Sequence, residues 1–239
     1  MDSEPGTATQ AVGEESHWIP LTDLMTGLMV IFLLIAVSYM MQVEADAARI
    51  KKIAVAYSDI KDSLFEDLQK EFRTDLPKWK AQLLRNDLAI RFSEPEVLFD
   101  SGSSQLKPEF QAILQDFFPR YVHILTLPKY RDAISEVRIE GHTSSDWRNG
   151  VASPEEAYFL NMELSQARTR STLAYVMNLP ADRDEAAWLR RYVTANGLSS
   201  SRLILDDKGV EDVARSRRVE FRIRTDAETR IAKILEVSK

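Results

Sequence analysis

An apolar segment near the N-terminus constrains the fold of this chain more than any other feature. It runs for 25 residues, from Ile19 to Val43, and contains one charged residue, Asp23. The 20 residues from Leu24 to Val43 carry no charge. At about 1.5 Å per residue they cover the roughly 30 Å hydrocarbon layer of a bilayer. Because the start of the chain is acidic and the run is long, a cleavable signal peptide is a poor fit. The sequence predicts a permanent single-pass transmembrane helix over 18–43.

The charges around this segment bear on its orientation. Lys and Arg are absent before Arg49, whereas Arg49, Lys51 and Lys52 follow the segment. Basic residues favour the cytoplasmic side of a membrane. The charges alone therefore predict an external N-terminus and a cytoplasmic C-terminal part.

Asp23 is the one acid inside the segment. An acid at the centre of a span costs about 2.5–3.5 kcal/mol on insertion scales, and less near the interface. One interpretation is that Thr22 or Asp23 caps the helix at the membrane surface. The other is that Asp23 binds a proton or another cation against a partner helix, with Thr26 as its hydrogen-bonding neighbour. Thr26 and Gly27 also form a small patch that permits close approach of helices.

Residues 44–86 predict a helical stalk. Its apolar residues recur at spacings of three and four and form one narrow stripe, close to a heptad seam for about two heptads. The stripe consists of Ile50, Ile53, Tyr57, Ile60, Leu64, Leu68 and Phe72. Either packing of this helix on its own domain or a parallel homodimeric stalk explains the stripe, and its narrowness favours the dimer. Pro77 is expected to end or bend the helix.

Residues 87–239 alternate short strand-like and helix-like segments, which predicts an α+β domain of ordinary size. The expected strands are Ala89–Phe92, Glu96–Phe99 and the segments around Val137–Ile139 and Val219–Ile223. The expected helices are Pro108–Phe118, Glu155–Met177 and Glu185–Thr194. In Glu155–Met177, the stripe through Leu160, Leu164 and Ala167 is expected to face the core.

Composition excludes several classes of function. The chain has 239 residues, a net charge of −6, no cysteine and three scattered histidines. The acidic charge argues against nucleic acid as a direct partner, and the lack of cysteine removes thiolate chemistry. Because HExxH, P-loop and GxGxxG motifs are absent as well, we expect no enzymatic activity, no metal site and no bound cofactor.

Two polar features of the C-terminal domain are candidates for a binding site. One is the loop from Gly141 to Asp146, directly after a predicted strand. The other is the stripe Asn161, Ser165 and Arg168, which shares one helix face and is expected at an exposed flank. An arginine fork beside short polar side chains suits a ligand carboxylate. A solvated face with Arg168 paired to a nearby acid also fits, and spacing alone favours it.

Several short motifs of this domain resemble, in order, the OmpA-like peptidoglycan-binding domain over most of 88–225. They are VLFDSG at 97–102, LKP at 106–108, IEGHT at 139–143, Asn161, LS at 164–165, AR at 167–168 and RRVE at 217–220. The resemblance implies an α/β sandwich that clamps the diaminopimelate of the wall peptide. Arg168 would bind its carboxylate, with Thr143, Asn161 and Ser165 on the same loop and helix.

One position departs from the OmpA-like pattern. The family usually has an aspartate where this chain has Ser144. Asp146, two residues further on, is the candidate substitute. The mode of wall binding is therefore expected to differ in detail from that of the family.

The segment Trp18–Met29, WIPLTDLMTGLM, is similar to the span of the B subunits of ion-driven rotary stators. In that group the acid that matches Asp23 carries the ion, a proton or sodium. The acidic tail over 1–17 and the sequence Leu21-Thr22-Asp23 look more like B subunits of the Zorya anti-phage defence motor than like flagellar stators. A flagellar stator and a passive wall tether without ion flow are the alternatives.

The stator resemblance also implies partners and a location. It implies a ring of multi-span A subunits, five A around two B, in the bacterial inner membrane. The N-terminal tail would be cytoplasmic and the C-terminal domain periplasmic. We prefer this orientation to the one that the flanking charges predict, because a wall-binding domain in the cytoplasm would have no wall to bind.

Overall fold

The computed structural model describes residues 18–93, 95–147 and 152–226. Contacts within the chain divide it into two units, of which the first ends at Lys52 and the second begins at Ile53. The tail predicted over 1–17 lies outside the described residues, as does the end of the chain after residue 226. The predicted fold class is confirmed, because an N-terminal apolar helix precedes a mixed domain of helices and a sheet.

Helix α1 runs from Trp18 to Phe72 and contains the predicted transmembrane segment. Within the described residues, Leu21–Lys52 is the one stretch long and apolar enough to cross a membrane, and the apolar window that qualifies it is not buried. Large apolar side chains such as Phe32 and Leu34 are about 60% exposed, at 62% and 61%. An apolar stretch of this length that is exposed among the described residues requires lipid or partner helices around it.

The last turns of α1 pack inside the second unit. Leu64, Leu68 and Phe72 are fully buried, and the ring centroid of Phe72 lies 5.3 Å from that of Phe117. This part of the stripe therefore packs on the chain's own domain, and the preference for a dimeric seam is wrong there. The boundary predicted at residue 87 is also too late, because this packing and a strand at Ala81–Leu84 precede it.

The sheet of the second unit has five strands in the order β1-β2-β5-β3-β4. They are β1 Ala81–Leu84, β2 Ala89–Phe92, β3 Ile134–His142, β4 Val193–Gly197 and β5 Arg218–Thr225. The helices are α2 Pro95–Leu98, α3 Pro108–Leu125, α4 Pro128–Arg131, α5 Pro154–Met177, α6 Arg183–Tyr192 and α7 Val213–Ser216. Neighbouring strands are antiparallel except β3 and β4, which are parallel because α5 and α6 form the crossover between them.

Three short elements differ from the sequence predictions. The strand expected at Glu96–Phe99 is the helical turn α2, followed by an isolated bridge from Phe99 to Leu106. Strand β4 begins inside the helix expected at Glu185–Thr194, and β1 was not predicted. Strands of four or five residues have too few positions for a reliable alternation, so their pairing in the folded chain decides them.

Apolar residues of β3 and β5 alternate toward α3 and form the core. Phe117 of α3 lies at its centre, with ring centroids 5.1 Å from Phe221, 5.4 Å from Phe92 and 4.9 Å from Tyr121. The intervening residues of β5, Arg218, Glu220 and Arg222, take the opposite face of the sheet by the two-residue period of a strand.

Helix α5 buries a different face from the one expected. Its buried residues are Ala157, Asn161, Ser165, Thr169, Thr172 and Val176. Leu160, Leu164 and Ala167, which were expected in the core, are only partly buried. The polar stripe, expected to be exposed, thus packs on the sheet.

Close contact between α5 and two strand glycines explains this choice. A Cβ added at Gly197 would stand 2.3 Å from the backbone nitrogen of Gln166, and one at Gly141 would stand 2.7 Å from Cγ2 of Thr169. At that separation only small side chains fit beneath the helix. Their hydroxyls donate to helix carbonyls, as from Thr169 to Ser165 at 3.1 Å and from Thr172 to Arg168 at 2.9 Å. Burial therefore leaves these groups hydrogen-bonded.

Replacement of Gly197 by alanine tests this contact. Gly197→Ala is expected to lower the free energy of unfolding by about 3 kcal/mol, because the added methyl group meets helix backbone that cannot rotate away. Urea unfolding of the full chain in detergent, followed by tryptophan fluorescence, measures this change. Gly102→Ala is the control, since its Cβ meets nothing within 4 Å and costs only about 1 kcal/mol of left-handed backbone strain. Equal losses in the two variants would contradict the contact.

Candidate functional site

The loop after β3 is held against α5 by a buried amide. The side-chain Nδ2 of Asn161 donates to the carbonyl oxygens of Ser144 and Asp146, at 3.2 Å each. The backbone N–H of Thr143 donates to the carbonyl of Ser199 at 2.9 Å. Asn161 therefore positions the loop, and its own amide nitrogen is occupied by these two bonds.

Arg168 emerges from the same face of α5 and is partly buried. Its Nε donates to the carbonyl of Ser103 at 2.8 Å and its Nη2 to the carbonyl of Asp100 at 3.2 Å. Its guanidinium carbon lies 4.9 Å from the ring centroid of Phe99. Burial, with the charge of Arg217 as a second cause, lowers the pKa of Arg168 to about 10, so the group remains a cation at neutral pH.

The surroundings of Arg168 exclude one of the two interpretations that spacing allowed. Among the described residues it forms no ion pair with a carboxylate, so a solvated face paired to an acid is wrong. Backbone carbonyls instead fix its orientation, while its charge is not neutralised by a neighbour. A partly buried cation held in this way is suited to bind a ligand carboxylate.

Ser165 has a positioning role in this arrangement. Its hydroxyl donates to the carbonyl of Met162 at 3.0 Å and accepts from the backbone N–H of Ser199 at 3.1 Å. It is 1% exposed, and both bonds are within the protein. Ser165 thus fixes the segment that in turn holds Thr143.

Thr143 and Asp146 differ in what they offer to a ligand. The Thr143 hydroxyl is buried without a hydrogen-bond partner among the described residues, which is a costly arrangement that a ligand can relieve. Asp146 is exposed, and its backbone carbonyl is held by Asn161. Its carboxylate is therefore at the surface of the loop rather than inside it.

A second acid reaches this loop from a distant segment. The backbone N–H of Ser145 donates to Oε1 of Glu211 at 3.0 Å, and the Ser145 hydroxyl donates to Oε2. Glu211 lies in a hairpin bridge with Leu205, 66 residues along the chain from Ser145. The sequence carries no signal for this contact, because no spacing rule relates residues so far apart.

A small cavity is lined by part of the predicted site and by two arginines that were not predicted as site residues. Ser165 and Arg168 line it, whereas Thr143, Asp146 and Asn161 lie outside the cavity. Its complete lining is Leu98, Phe99, Gly141, His142, Ser165, Arg168, Arg217, Arg218 and Val219. The RRVE motif at 217–220 was the available signal for the two additional arginines.

A buried ion-pair network lies beside the cavity on the outer face of the sheet. Glu220 is fully buried, and it accepts from Arg218 Nε at 2.6 Å, Arg91 Nε at 2.9 Å and Arg222 Nη2 at 2.8 Å. Burial alone would raise the pKa of Glu220, but these cations lower it to about 2. The network fixes Arg218, which is opposite His142 in the ladder between β5 and β3.

Glu140, His142 and Glu220 bring potential metal-ligand atoms within 4.8 Å of one another. The imidazole Nε2 of His142 lies 3.7 Å from Oε2 of Glu140, and burial lowers the pKa of His142. The two carboxylates already accept from guanidinium groups, including Arg222 Nε to Glu140 at 3.0 Å. A metal ion would have to displace these cations, so the geometry favours an ion-pair network over a metal centre.

Asp23 lies within helix α1 and not at its start. The helix begins at Trp18, so Thr22 and Asp23 are past the capping position and the capping interpretation is wrong. The Thr26 hydroxyl donates to the carbonyl of Thr22 at 2.8 Å, rather than to Asp23 as expected. Asp23 and Thr26 are both exposed in the described chain, one helical turn apart.

Comparison with known proteins finds a close relative over nearly the whole chain. The chain is 45% identical over 223 residues to the Zorya protein ZorB of Escherichia coli. The match covers 93% of this chain and 94% of that protein. No protein-family model matches the chain.

Solved structures that match this chain are more distant from it in sequence. A MotB-like protein from Desulfovibrio vulgaris is 21% identical with a TM-score of 0.46, and the match covers 70% of this chain and 94% of that one. The cell wall anchor of the T6SS from Pseudomonas aeruginosa is also 21% identical, with a TM-score of 0.44 and coverages of 66% and 96%. The periplasmic domain of Helicobacter pylori MotB is 15% identical, with a TM-score of 0.41 and coverages of 63% and 85%. At this similarity these matches carry no functional argument.

The buried network makes stability depend on pH in a defined window. Because the folded-state pKa of Glu220 is about 2, against 4.5 ordinarily, its charge stabilises the fold above pH 4.5. The contribution of about 3 kcal/mol is lost as the pH falls from 4.5 to 2. The difference in unfolding free energy between the wild type and Glu220→Gln, from urea titrations followed by tryptophan fluorescence, is expected to shrink over that window. Glu163→Gln on exposed α5 surface is the control, and a difference that is constant with pH would contradict the network.

Proposed function

The chain belongs to the ZorB family, and from this membership we propose that it is the B subunit of a proton-driven rotary motor that is anchored to peptidoglycan and acts in anti-phage defence. The observation that carries the proposal is the 45% identity over nearly the full length of both chains. In this role the protein is a motor component rather than an enzyme.

The anchoring half of the proposal rests on the site at the end of β3. Arg168 is held by two carbonyls and pairs with no acid in the described part of the chain, and it supplies the cation for the carboxylate of diaminopimelate. The Thr143 hydroxyl, which has no hydrogen-bond partner within the described ranges, lies on the loop that Asn161 holds. Asp146, exposed on the same loop, is the acid we assign to the ligand's ammonium group in place of the family aspartate.

The motor half rests on Asp23. A carboxylate that is exposed on an apolar helix is stable in a membrane only against a partner or water, which implies a surrounding multi-span A subunit. In the proposed assembly a homodimer sits inside a ring of five A subunits, and protons or sodium ions pass by way of Asp23. One charge that moves down the field yields about 2.3 kcal/mol per 100 mV, which drives stepwise rotation of the ring.

The proposed orientation follows from the wall contact. The N-terminal tail is in the cytoplasm, and the domain after α1 is in the periplasm of the inner membrane. The wall then holds the B subunits stationary, so that ion flow turns the A ring around them. This orientation is the opposite of the one that the basic residues Arg49, Lys51 and Lys52 favour, because basic residues tend to lie on the cytoplasmic side.

An amide at position 23 tests the ion-carrying role. Asp23→Asn keeps the shape of the side chain but cannot gain or lose a proton, so we expect proton flux and phage protection to fall to background. Copurification with the A subunit is expected to be unchanged. Flux into membrane vesicles, measured with a pH-sensitive dye, gives the result, and Asp46→Asn, outside the predicted span, is the control. Normal flux in Asp23→Asn would favour a passive tether.

Substitution of Arg168 tests the wall anchor. Arg168→Ala is expected to weaken cosedimentation of the full chain with purified sacculi by about ten-fold or more, since the carboxylate loses its cation. Arg170→Ala, an exposed arginine on the same helix, is the control. Arg168→Lys keeps the charge without the planar fork and is expected to give intermediate binding. If Arg168→Ala sedimented like the wild type, wall binding through this site would be refuted.

A further inference from the structure

One cavity of the domain lies away from the proposed wall site. It has a volume of about 330 Å³ and opens on the outer face of the sheet, beside the turn between β1 and β2. Its lining is Lys61, Asn86, Asp87, Leu88, Arg138, Glu140, Arg202, Arg222, Ile223, Arg224 and Thr225. It shares no residue with the cavity around Arg168. We call it the basic pocket.

Cations outnumber carboxylates in the basic pocket. Five cationic side chains line it, against the two carboxylates of Asp87 and Glu140. Two more carboxylates pair with lining cations from outside the lining, Glu136 with Arg138 and Glu220 with Arg222. The whole chain, by contrast, has a net charge of −6. A concave site with excess positive charge raises the local concentration of anions, and its low-dielectric walls strengthen that attraction.

The floor of the basic pocket is rigid. Arg222 donates to Asp87 at 2.7 Å, to Glu140 at 3.0 Å and to Glu220 at 2.8 Å. Because three carboxylates hold this guanidinium, its orientation is fixed before any ligand arrives. Arg138 is likewise held, by Glu136 at 2.7 Å.

Two cations at the pocket are much less neutralised. Nη1 of Arg202 lies 3.9 Å from Oε2 of Glu140, beyond hydrogen-bond distance, and the side chain is 55% exposed. Lys61 donates to the carbonyl of Asn86 at 2.7 Å and pairs with no carboxylate among the described residues. These two side chains retain donors that can turn toward a bound anion.

We infer that the basic pocket binds a small phosphorylated anion. A phosphate monoester carries about two negative charges and several acceptor oxygens, which match a guanidinium fork and an ammonium group better than one carboxylate does. The volume is at the lower end of the range of about 300–1,000 Å³ that is usual for small-molecule sites. Arg202 and Lys61 bind the phosphoryl group, and Arg222 provides the fixed positive floor. This function is independent of wall binding and of ion transport.

Two sources could supply such a phosphoryl group, a soluble phosphorylated compound and the monoester headgroup of phosphatidic acid. They share the same recognition chemistry but differ in form. Inorganic pyrophosphate represents the first, and glycerol 1-phosphate represents the second. Their relative affinity therefore distinguishes the sources.

Calorimetric titration of the full chain in neutral phosphatidylcholine nanodiscs tests the inference. At about 50 mM salt, saturable binding of pyrophosphate or glycerol 1-phosphate is expected, and higher salt is expected to weaken it by screening. The double variant Lys61→Gln, Arg202→Gln is expected to bind at least about ten-fold more weakly. Both residues are partly or fully exposed, so their loss leaves no buried acid unpaired.

The matched control removes the same charge elsewhere. Arg170→Gln with Arg190→Gln deletes two exposed cations of α5 and α6 and is expected to bind like the wild type. Two results would overturn the inference: a wild-type chain that binds neither probe, and a Lys61/Arg202 variant no weaker than the control. Sacculus binding by the Lys61/Arg202 variant is expected to be normal, which separates this site from the wall anchor.

Discussion

The close packing of α5 on the glycines of β3 and β4 is the constraint on which the rest of the domain depends. With Gly141 and Gly197 beneath it, the helix lies so near the strands that only small side chains fit between them. These side chains carry hydroxyl and amide groups that bond to α5 itself or to the adjoining loops. The geometry of the site therefore depends on this packing, since the buried face of α5 also positions the loop after β3 and the guanidinium of Arg168.

The sequence predicted the long elements, but it misplaced the buried face of α5. Periodicity assigned Leu160 and Leu164 to the core because a hydropathy pattern counts serine and threonine as polar. Thr169 and Thr172 satisfy their hydroxyls within the helix, so burying them costs little. The contacts of Arg168 with Asp100 and Ser103, and that of Ser145 with Glu211, join distant segments. No local pattern encodes them.

The outer face of the sheet follows a different principle from the core. Glu140 and Glu220 are buried there as charges, which is stable only because arginines of β2 and β5 supply hydrogen bonds to their oxygens. Removing one partner leaves an uncompensated charge, so the network enforces the register of β2, β5 and β3. The same network leaves an excess of cations at its edge, where the basic pocket opens.

The apolar side chains of helix α1 have two different environments along its length. Between Leu24 and Val43 its apolar side chains are exposed, so they are available to lipid and to neighbouring helices. From Leu64 to Phe72 its apolar side chains are already buried in their own domain. A homodimer therefore cannot use the buried Leu64, Leu68 and Phe72 as its seam. The surfaces that remain for the proposed homodimer are the outside of the domain and the earlier turns of α1, which hold the first part of the stripe, from Ile50 onward.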